Sequence, residues 1–532
     1  LASTDFSDEP FEAAEGRAEE EPQDWDPANN TPLWALHLVQ TQCRAQFPAD
    51  TLDGVEEFDE RLLGIDENGA LNEVLLEKLM GLITDGSLSA KVKAGLLRAF
   101  TIFINQHKKR LETAAMRKAQ IQMAGLGATN MVVHLVQDPD PEVFCATIQF
   151  ATSLFWGGNS VVQDSLFKHL ESDETQSFVR TFSEKIQHSL TSLRNWKSEL
   201  AFVTNTAPEI GEQLHREMLL AKTDVIESKN VLRLLQLLCE GHHLKLQDYL
   251  REQPTANPVN VVTEIIRFLK EVISGGLEES IFSIAIQTFH TLTELCQGPC
   301  PENQAALVAR NVTSDINEVL ESAFPQRDDT LVFELRCAAT LTLLSLLEGC
   351  NEQVRPKLIV QTINFGAVQA ILDWIWIAVE GPIASGGYLP EDQQALLGMA
   401  FNLFILMSHL RTFSDDQNLL SAIEGCLGYG YLQSRLGVVE IARGAASEKV
   451  YFPIPQNCQY LTDDLKNEIL FHIDRSSASA KVTSFQAKAV EVGSKMEFDR
   501  RLTEWLQEGV LPAVHALWPR LAPRCRYWIH HR

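Results

Sequence analysis

From Leu33 onward the apolar residues of this chain fall three and four apart with few interruptions. Leu33, Leu36, Leu38 and Val39 begin the pattern, and Leu75, Leu76, Leu79, Leu82 and Ile83 continue it. Ile265, Ile266, Phe268, Leu269 and Val272 repeat it, as do Leu331, Phe333, Leu335, Leu341, Leu344 and Leu347. This spacing lines one face of an α-helix, which must be buried against another element. Strand signals are sparse until near the C-terminal end. The expected fold class is all-α.

The helices are punctuated in a recurring way. Leu126-Gly127-Ala128-Thr129 leads into Met131–Val136, and the chain breaks at Asp138–Pro141. A helix runs on through Phe155, then Gly157-Gly158-Asn159, and a new helix covers Val161–Leu170. The unit of helix, Gly, Asn and helix returns at Leu295…Gly298-Pro299…Asn303-Gln304 and at Leu347-Glu348-Gly349-Cys350-Asn351. Phe365-Gly366-Ala367-Val368 echoes Leu126-Gly127-Ala128. A Gly in the left-handed conformation ends one helix so that the next can turn back on it. Units that cannot bury their apolar faces alone stack on each other. The pattern predicts an armadillo-like α-solenoid, in degenerate form.

The texture changes after about Gly425. Val438-Val439-Glu440-Ile441 and Lys449-Val450-Tyr451-Phe452-Pro453-Ile454-Pro455 flank Gly444-Ala445-Ala446-Ser447, which predicts a β-hairpin. A capped helix is expected at Thr462-Asp463-Asp464. The stretch from Met496 to Arg532 mixes Trp and Arg, in keeping with a segment that lies on a membrane surface or against a partner, or with a frayed tail. The resulting division is 1–31, an acidic disordered tail; 32–228, armadillo-like repeats; 229–424, a second helical domain; and 425–532, the hairpin with its helices.

Charge narrows the function. Asp and Glu number 71 against 45 Lys and Arg, a net charge of −26 over 532 residues. Sequence-independent nucleic-acid binding needs the opposite balance, so no nucleic-acid partner is expected. No signal peptide is visible, and Leu1 in place of Met reads as a fragment or processed chain. The longest uncharged apolar stretch, Ala395 to Met407, is short and holds Asn402, so it reads as a buried helix and no membrane span is expected. Ten scattered Cys without a secretion signal read as reduced thiols. Cys296 and Cys300 with His290 resemble half of a zinc site, but no second pair follows at finger spacing.

Enzyme motifs are missing. Asp66, Asn68 and Glu77 sit at calcium-loop spacing, but Leu71 stands where the sharp turn needs Gly. Gly125-Leu126-Gly127 follows no strand and lacks its third Gly, and neither GxxxxGK[ST], GxSxG nor HExxH occurs. The chain is expected not to be an enzyme.

Two helix ends carry the most informative chemistry. The run Asn230 to Cys239 leads through Glu240 into Gly241-His242-His243. The run from Ile284 to Thr293 continues to Glu294, with Gly298 four residues on. Each Glu faces the negative end of a helix macrodipole, unfavourable by a few tenths to about 1 kcal/mol. On the residues alone a solvated carboxylate is the simpler reading. The other is a hard cation that offsets the repulsion, with two Glu of neighbouring repeats and carbonyl or His support forming a Ca²⁺ site.

Leu237-Leu238-Cys239-Glu240-Gly241-His242 with Leu246-Gln247-Asp248-Tyr249-Leu250-Arg251, followed by Leu292-Thr293-Glu294-Leu295-Cys296-Gln297-Gly298-Pro299-Cys300-Pro301-Glu302-Asn303-Gln304, resembles the RIH-associated domain of inositol 1,4,5-trisphosphate and ryanodine receptors. Upstream, Gly157-Gly158-Asn159-Ser160-Val161-Val162-Gln163-Asp164 is similar to the helical segment before that domain. Downstream, Val438-Val439-Glu440-Ile441, Tyr451-Phe452-Pro453-Ile454-Pro455 and Met496 to Leu502 resemble the approach to the first transmembrane helix. The likeness covers roughly residues 90–505 and favours the inositol trisphosphate branch.

This resemblance implies a cytosolic regulatory and coupling region of an intracellular calcium-release channel, on the cytosolic face of the endoplasmic reticulum. It implies Glu240 and Glu294 as Ca²⁺ ligands, with His242 in support. It also implies a further ligand, a carbonyl from a domain beyond the pore, so Ca²⁺ should be held weakly by this chain alone. The implied partners are the ligand-binding and pore domains of a homotetramer. The family's nucleotide-binding Lys is replaced near Ser434 or Arg435, so ATP is not carried over. The alternative is a stand-alone soluble, cytoplasmic α-solenoid scaffold descended from such a channel.

Overall fold

The structure, a computed structural model, describes residues 73–505 apart from 86–87, 110–112, 207–222, 275–280, 323–328, 351, 385–388, 444–445, 455–460 and 475–477. The acidic tail, the calcium-loop-like segment before Glu73 and the Trp- and Arg-rich end after Trp505 lie outside the described residues. The described chain is helical except for one hairpin, as its periodicity predicts. It divides into two compact units, parted between Asn364 and Phe365.

In the first unit the order is α1 (Glu73–Thr84), α2 (Ala90–Lys109), α3 (Thr113–Gly125), α4 (Ala128–Leu135), α5 (Pro141–Leu154), α6 (Ser160–Ser172) and α7 (Ser177–Thr206). Then follow α8 (Thr223–Cys239), α9 (Leu244–Arg251), α10 (Val261–Ile273), α11 (Phe282–Cys296), α12 (Pro301–Ala309), α13 (Val312–Glu321), α14 (Asp329–Leu347) and α15 (Val354–Thr362). Every third helix stacks on the next, so α2, α5, α8, α11 and α14 form one column. The helices α3, α6, α9, α12 and α15 form a second, and α7, α10 and α13 pack in turn as a third. Three helices per repeat is the grammar of an α-solenoid. The stacked column is buried from several sides. In α8, Val231, Leu232, Leu234, Leu235, Leu237 and Leu238 are all fully buried.

Local chemistry sets the breaks. Asp140 accepts hydrogen bonds from the N–H groups of Glu142 and Val143, with Pro141 opening α5. Asn260 accepts from the Thr263 N–H at 2.8 Å to start α10. At the far ends, Gly157, Gly158, Gly241, Gly298 and Gly349 all have positive φ, which closes the stacked helices as the sequence predicts. These turns also touch. A Cβ on Gly158 would lie 2.6 Å from the Glu240 carbonyl oxygen, and one on Gly298 would lie 2.8 Å from the His242 Cβ.

Four buried glutamines tie the turns together. Each lies on a short helix of one repeat and donates to carbonyls at the C-terminal end of the stacked helix of the next. Gln120 Nε2 reaches Ser153 O and Trp156 O, both at 3.0 Å, at the end of α5. Gln163 Nε2 reaches Leu237 O, Leu238 O and Glu240 O at 3.2, 3.1 and 2.8 Å. Gln247 Nε2 reaches Glu294 O and Gln297 O at 2.6 and 2.8 Å. Gln304 Nε2 reaches Ser345 O and Glu348 O at 2.7 and 3.0 Å. Helix ends leave carbonyls without intrahelical partners, and buried ones must be satisfied. The amide ladder does this in four successive repeats.

The second unit holds α16 (Phe365–Ala384), α17 (Glu391–Arg411), α18 (Gln417–Gly425), α19 (Tyr429–Ser434), β1 (Leu436–Arg443), β2 (Ala446–Pro453), α20 (Asp463–Phe471) and α21 (Ala478–Trp505). The expected hairpin is antiparallel, with Val439 opposite Val450. Its strands extend further than the sequence implies. Ala446 and Ser447, read as turn residues, pair with Arg443 and Ala442. Val450 and Phe452 pack with Ile454, Leu461, Ile469 and Phe485 in one small core. Thr462 caps α20 by accepting from the Leu465 N–H at 3.3 Å, as expected.

The expectation that no segment qualifies as a span needs correction. Three helical stretches, Thr330–Leu347, Phe365–Ala384 and Glu391–Arg411, are long and apolar enough to cross a membrane by length and composition. The sequence criterion of an unbroken uncharged run overlooks them because each tolerates an occasional charge. Most of the window in α14 and α17 is buried within the protein, whereas in α16 only 28% is.

Candidate functional site

The two helix-end carboxylates belong to one repeating position. Glu240, Glu294 and Glu348 stand 54 residues apart, each at the C-terminal end of a stacked helix, α8, α11 and α14. The same offset relates Arg233 to Gln287 and Gln236 to His290. On α8 the residues Arg233, Gln236 and Glu240 follow i, i+3, i+7 spacing and share a face. On α11 the residues Gln287, His290 and Glu294 do the same. Because α8 packs on α11, the two triplets meet. Gln236 Oε1 accepts from both Arg233 Nη1 and Gln287 Nε2 at 2.8 Å, locking their register.

Neither Glu is the solvated carboxylate of the simpler reading. Both are half-buried. Glu294 Oε2 is sealed from solvent, and no hydrogen bond reaches it among the described residues. Burial pushes the Glu294 carboxyl up to about 8, and the charges of Glu240 and Glu348 push the same way against the opposing Arg233. His290, buried and beside Arg233, is lowered to about 4 and is therefore neutral at physiological pH. The backbones of both Glu are fixed by the amide ladder, Glu240 O through Gln163 and Glu294 O through Gln247.

His242 lies in the turn after Glu240 with φ of 65°, its Cβ against Gly298. The structure thus places the turns carrying His242 and Gly298 in contact. The neighbouring His243 has a structural role. Its Nδ1 accepts from the Leu246 N–H to cap α9, which leaves Nε2 as donor to Asp164 Oδ1 at 3.3 Å.

Glu348 behaves differently from its counterparts. It is buried, and its Oε2 accepts from the Gly298 N–H at 2.9 Å. It thus braces the turn that follows Glu294. The pattern reading passed over Glu348, Arg233, Gln236 and Gln287. The available signal was polar side chains at helical spacing inside otherwise apolar runs.

Among the described residues no group of three or more His, Cys, Asp and Glu is placed to hold a metal ion. The zinc-like residues Cys296 and Cys300 are buried free thiols, pushed upward by burial, Cys300 to about 11. Glu240 and Glu294 suit a hard cation, and the sealed Glu294 oxygen is an orphan that a cation would satisfy. Ca²⁺ takes six to eight oxygen ligands, so two carboxylates make part of a shell.

Residues 222–320, which hold both Glu and the α8–α11 step, match the family described as RyR and IP3R Homology associated. This is a ryanodine and inositol trisphosphate receptor family region. The chain is 24% identical over 534 residues to inositol 1,4,5-trisphosphate receptor itr-1 of Caenorhabditis elegans, covering 73% of this chain and 18% of that protein. It is 25% identical over 237 residues to inositol 1,4,5-trisphosphate receptor-like protein A of Dictyostelium discoideum, covering 43% of this chain and 7% of that one. The chain therefore spans less than a fifth of the length of these relatives. Among solved structures, an engineered protein aligns over 64% of this chain and 97% of its own at 13% identity, with a TM-score of 0.40. SYS-1 aligns over 86% and 82% at 11% identity, with a TM-score of 0.25. The repeat architecture of this chain rests on its own helix packing.

Proposed function

We propose that this chain is a cytosolic regulatory and coupling region of an intracellular calcium-release channel of the inositol trisphosphate receptor type, working as a non-enzymatic relay at the endoplasmic reticulum. The observation that carries this reading is the half-buried pair Glu240 and Glu294, on consecutive stacked helix ends inside the matched family region. The pair bears an electrostatic penalty, seen in the raised Glu294 carboxyl, that a bound Ca²⁺ would remove. Ca²⁺ would supply charge compensation and a bridge to oxygens outside this chain. Gln163 and Gln247 hold the backbones of the two Glu in place, and His242 supports the cation site.

A cation held jointly by this chain and a carbonyl of the domain beyond the pore selects the docked arrangement of the two. The sequence departures near Arg435 give no reason to add ATP. Glu294→Ala in the full-length parent should shift Ca²⁺ activation to higher concentration in single-channel recordings. Unchanged Ca²⁺ sensitivity would remove the site assignment.

A further inference from the structure

The three glutamates of the repeat position lead into turns that touch in sequence. Glu240 and His242 flank Gly241 in the first, Glu294 leads into Gly298 of the second, and Glu348 precedes Gly349 of the third. The third turn grips the second at two points. Glu348 Oε2 accepts from the Gly298 N–H at 2.9 Å, a charge-assisted bond made by a residue only 7% exposed. At Gly349 a Cβ would lie 2.5 Å from Pro299 Cγ, so the chains meet with no room for a side chain. The second turn closes on the first in the same way, since a Cβ on Gly298 would lie 2.8 Å from the His242 Cβ. The other side of the same peptide group is also held. The Gln297 carbonyl accepts from Gln247 Nε2 at 2.8 Å. A peptide group is planar, so these two bonds, one from the preceding repeat and one from the following, fix the plane from which Gly298 presses on His242.

We propose that Glu348 is a positioning residue of the Glu240/Glu294 cation site, acting through its bond to the Gly298 N–H to hold the His242 turn in place against the end of α11. This rests on the Ca²⁺ reading above. The third glutamate of the series thus serves the site from one repeat away, as an outer support and not as a ligand. Groups that orient the ligands of a metal site set its affinity although they never meet the ion. The link from Glu348 to His242 runs through backbone at Gly298, which has no rotamer to absorb a displacement. Release of the Gly298 N–H therefore frees the peptide plane on one side and loosens the contact on His242.

The test is single-channel recording of the full-length parent against Ca²⁺ concentration, with thermal melts of the same purified proteins. Glu348→Ala removes the acceptor and should raise the half-activating Ca²⁺ concentration by about tenfold, the scale for losing an outer support of a metal site. Glu348→Asp keeps the charge but draws the oxygens back by one methylene, and should shift activation the same way. Glu348→Gln loses the charge but keeps an oxygen for the Gly298 N–H, and should stay within about twofold of wild type. This last pair decides the matter if Glu348→Ala does not fold. Gly127→Ala, in open space at the turn before α4, should lower the melting temperature and leave Ca²⁺ activation unchanged. If Glu294→Ala shifts activation while Glu348→Ala and Glu348→Asp do not, this inference alone is overturned. It is overturned too if Glu348→Gln shifts activation as far as Glu348→Asp, which makes charge the cause, or if Gly127→Ala shifts it, which makes lost stability the cause. If Glu294→Ala leaves activation unchanged, the Ca²⁺ reading falls and this inference with it.

Discussion

The step from α8 to α11 and the step from α11 to α14 are built alike and carry different chemistry. Both end in left-handed Gly turns, and both receive a buried Gln amide from the preceding repeat. At the positions 54 residues on from Gln287 and His290 of the first step, however, the second has Leu341 and Leu344. Its inter-helix polar contacts are neutral and centre on Thr342, whose hydroxyl meets the Thr293 hydroxyl at 2.9 Å and donates to the Phe289 carbonyl at 3.2 Å. Even the shared Glu differs. Glu348 accepts a backbone N–H, while the Glu294 carboxyl keeps a buried oxygen without one among the described residues. The repeat sets where a carboxylate stands, and its neighbours decide whether that carboxylate braces a turn or keeps a buried oxygen without a hydrogen bond among the described residues.

The turns are the feature most sensitive to change. Gly158→Ala forces a Cβ to within 2.6 Å of the Glu240 carbonyl oxygen at a φ of 59°. It should cost about 3–5 kcal/mol, combining backbone strain with displacement of a neighbouring turn. Gly127→Ala also meets a positive φ, of 98°, but has open space around it, so about 1–2 kcal/mol is expected. Equal losses for the two in chemical denaturation would mean that turn-on-turn contact contributes nothing.

A second comparison sets Glu294 against Glu348, and the sign should reverse between them. The Glu294 carboxyl titrates near 8 in the folded chain against an ordinary 4.5. Below 4.5 it is protonated folded or unfolded and costs nothing. As pH rises toward 8 the unfolded chain releases the proton more readily, so this group progressively destabilises the fold. Above 8 the loss is complete. Glu294→Gln should abolish that slope and raise stability by a few kcal/mol at pH 8 without Ca²⁺. Glu348→Gln weakens a charge-assisted bond to the Gly298 N–H and should lower stability by about 1–2 kcal/mol. Thermal melts across pH 5–9 test both, and two changes of the same sign would erase the distinction.

The helical column, the hairpin and the Gly breaks were legible in the sequence because each rests on local chemistry. Apolar period, paired β-branched runs and positive-φ glycines are visible within a dozen residues. Glu240 and Glu294 could be picked out as helix-end oddities, but their burial could not be read from the chain. It arises because α8 and α11 meet face to face across residues more than 50 positions apart. The polar stripe escaped for the same reason. Within the apolar run from Val231 to Leu238, Arg233 and Gln236 look like ordinary solvent-facing positions until Gln287 lies opposite them. The helices that qualify as spans were missed because an uncharged run was demanded where an occasional charge is tolerated.

The smallest expected difference compares two ways of joining neighbouring repeats. Arg98 and Glu142 bridge α2 and α5 at 2.8 Å, with both side chains about half exposed. Such a pair gains little over water and costs side-chain freedom, so Arg98→Ala should change stability by less than about 1 kcal/mol. Gln163 is neutral, yet its amide is the inter-repeat partner of three carbonyls at the end of α8. Gln163→Leu keeps the apolar volume and leaves those groups buried without it, at a cost of about 2–3 kcal/mol. Denaturant midpoints at low and high salt separate the cases, since salt should diminish the Arg98 effect and leave the Gln163 effect unchanged. If Arg98→Ala proved the more damaging, charge at the surface would hold successive repeats together, and the buried amide ladder would be incidental to the fold.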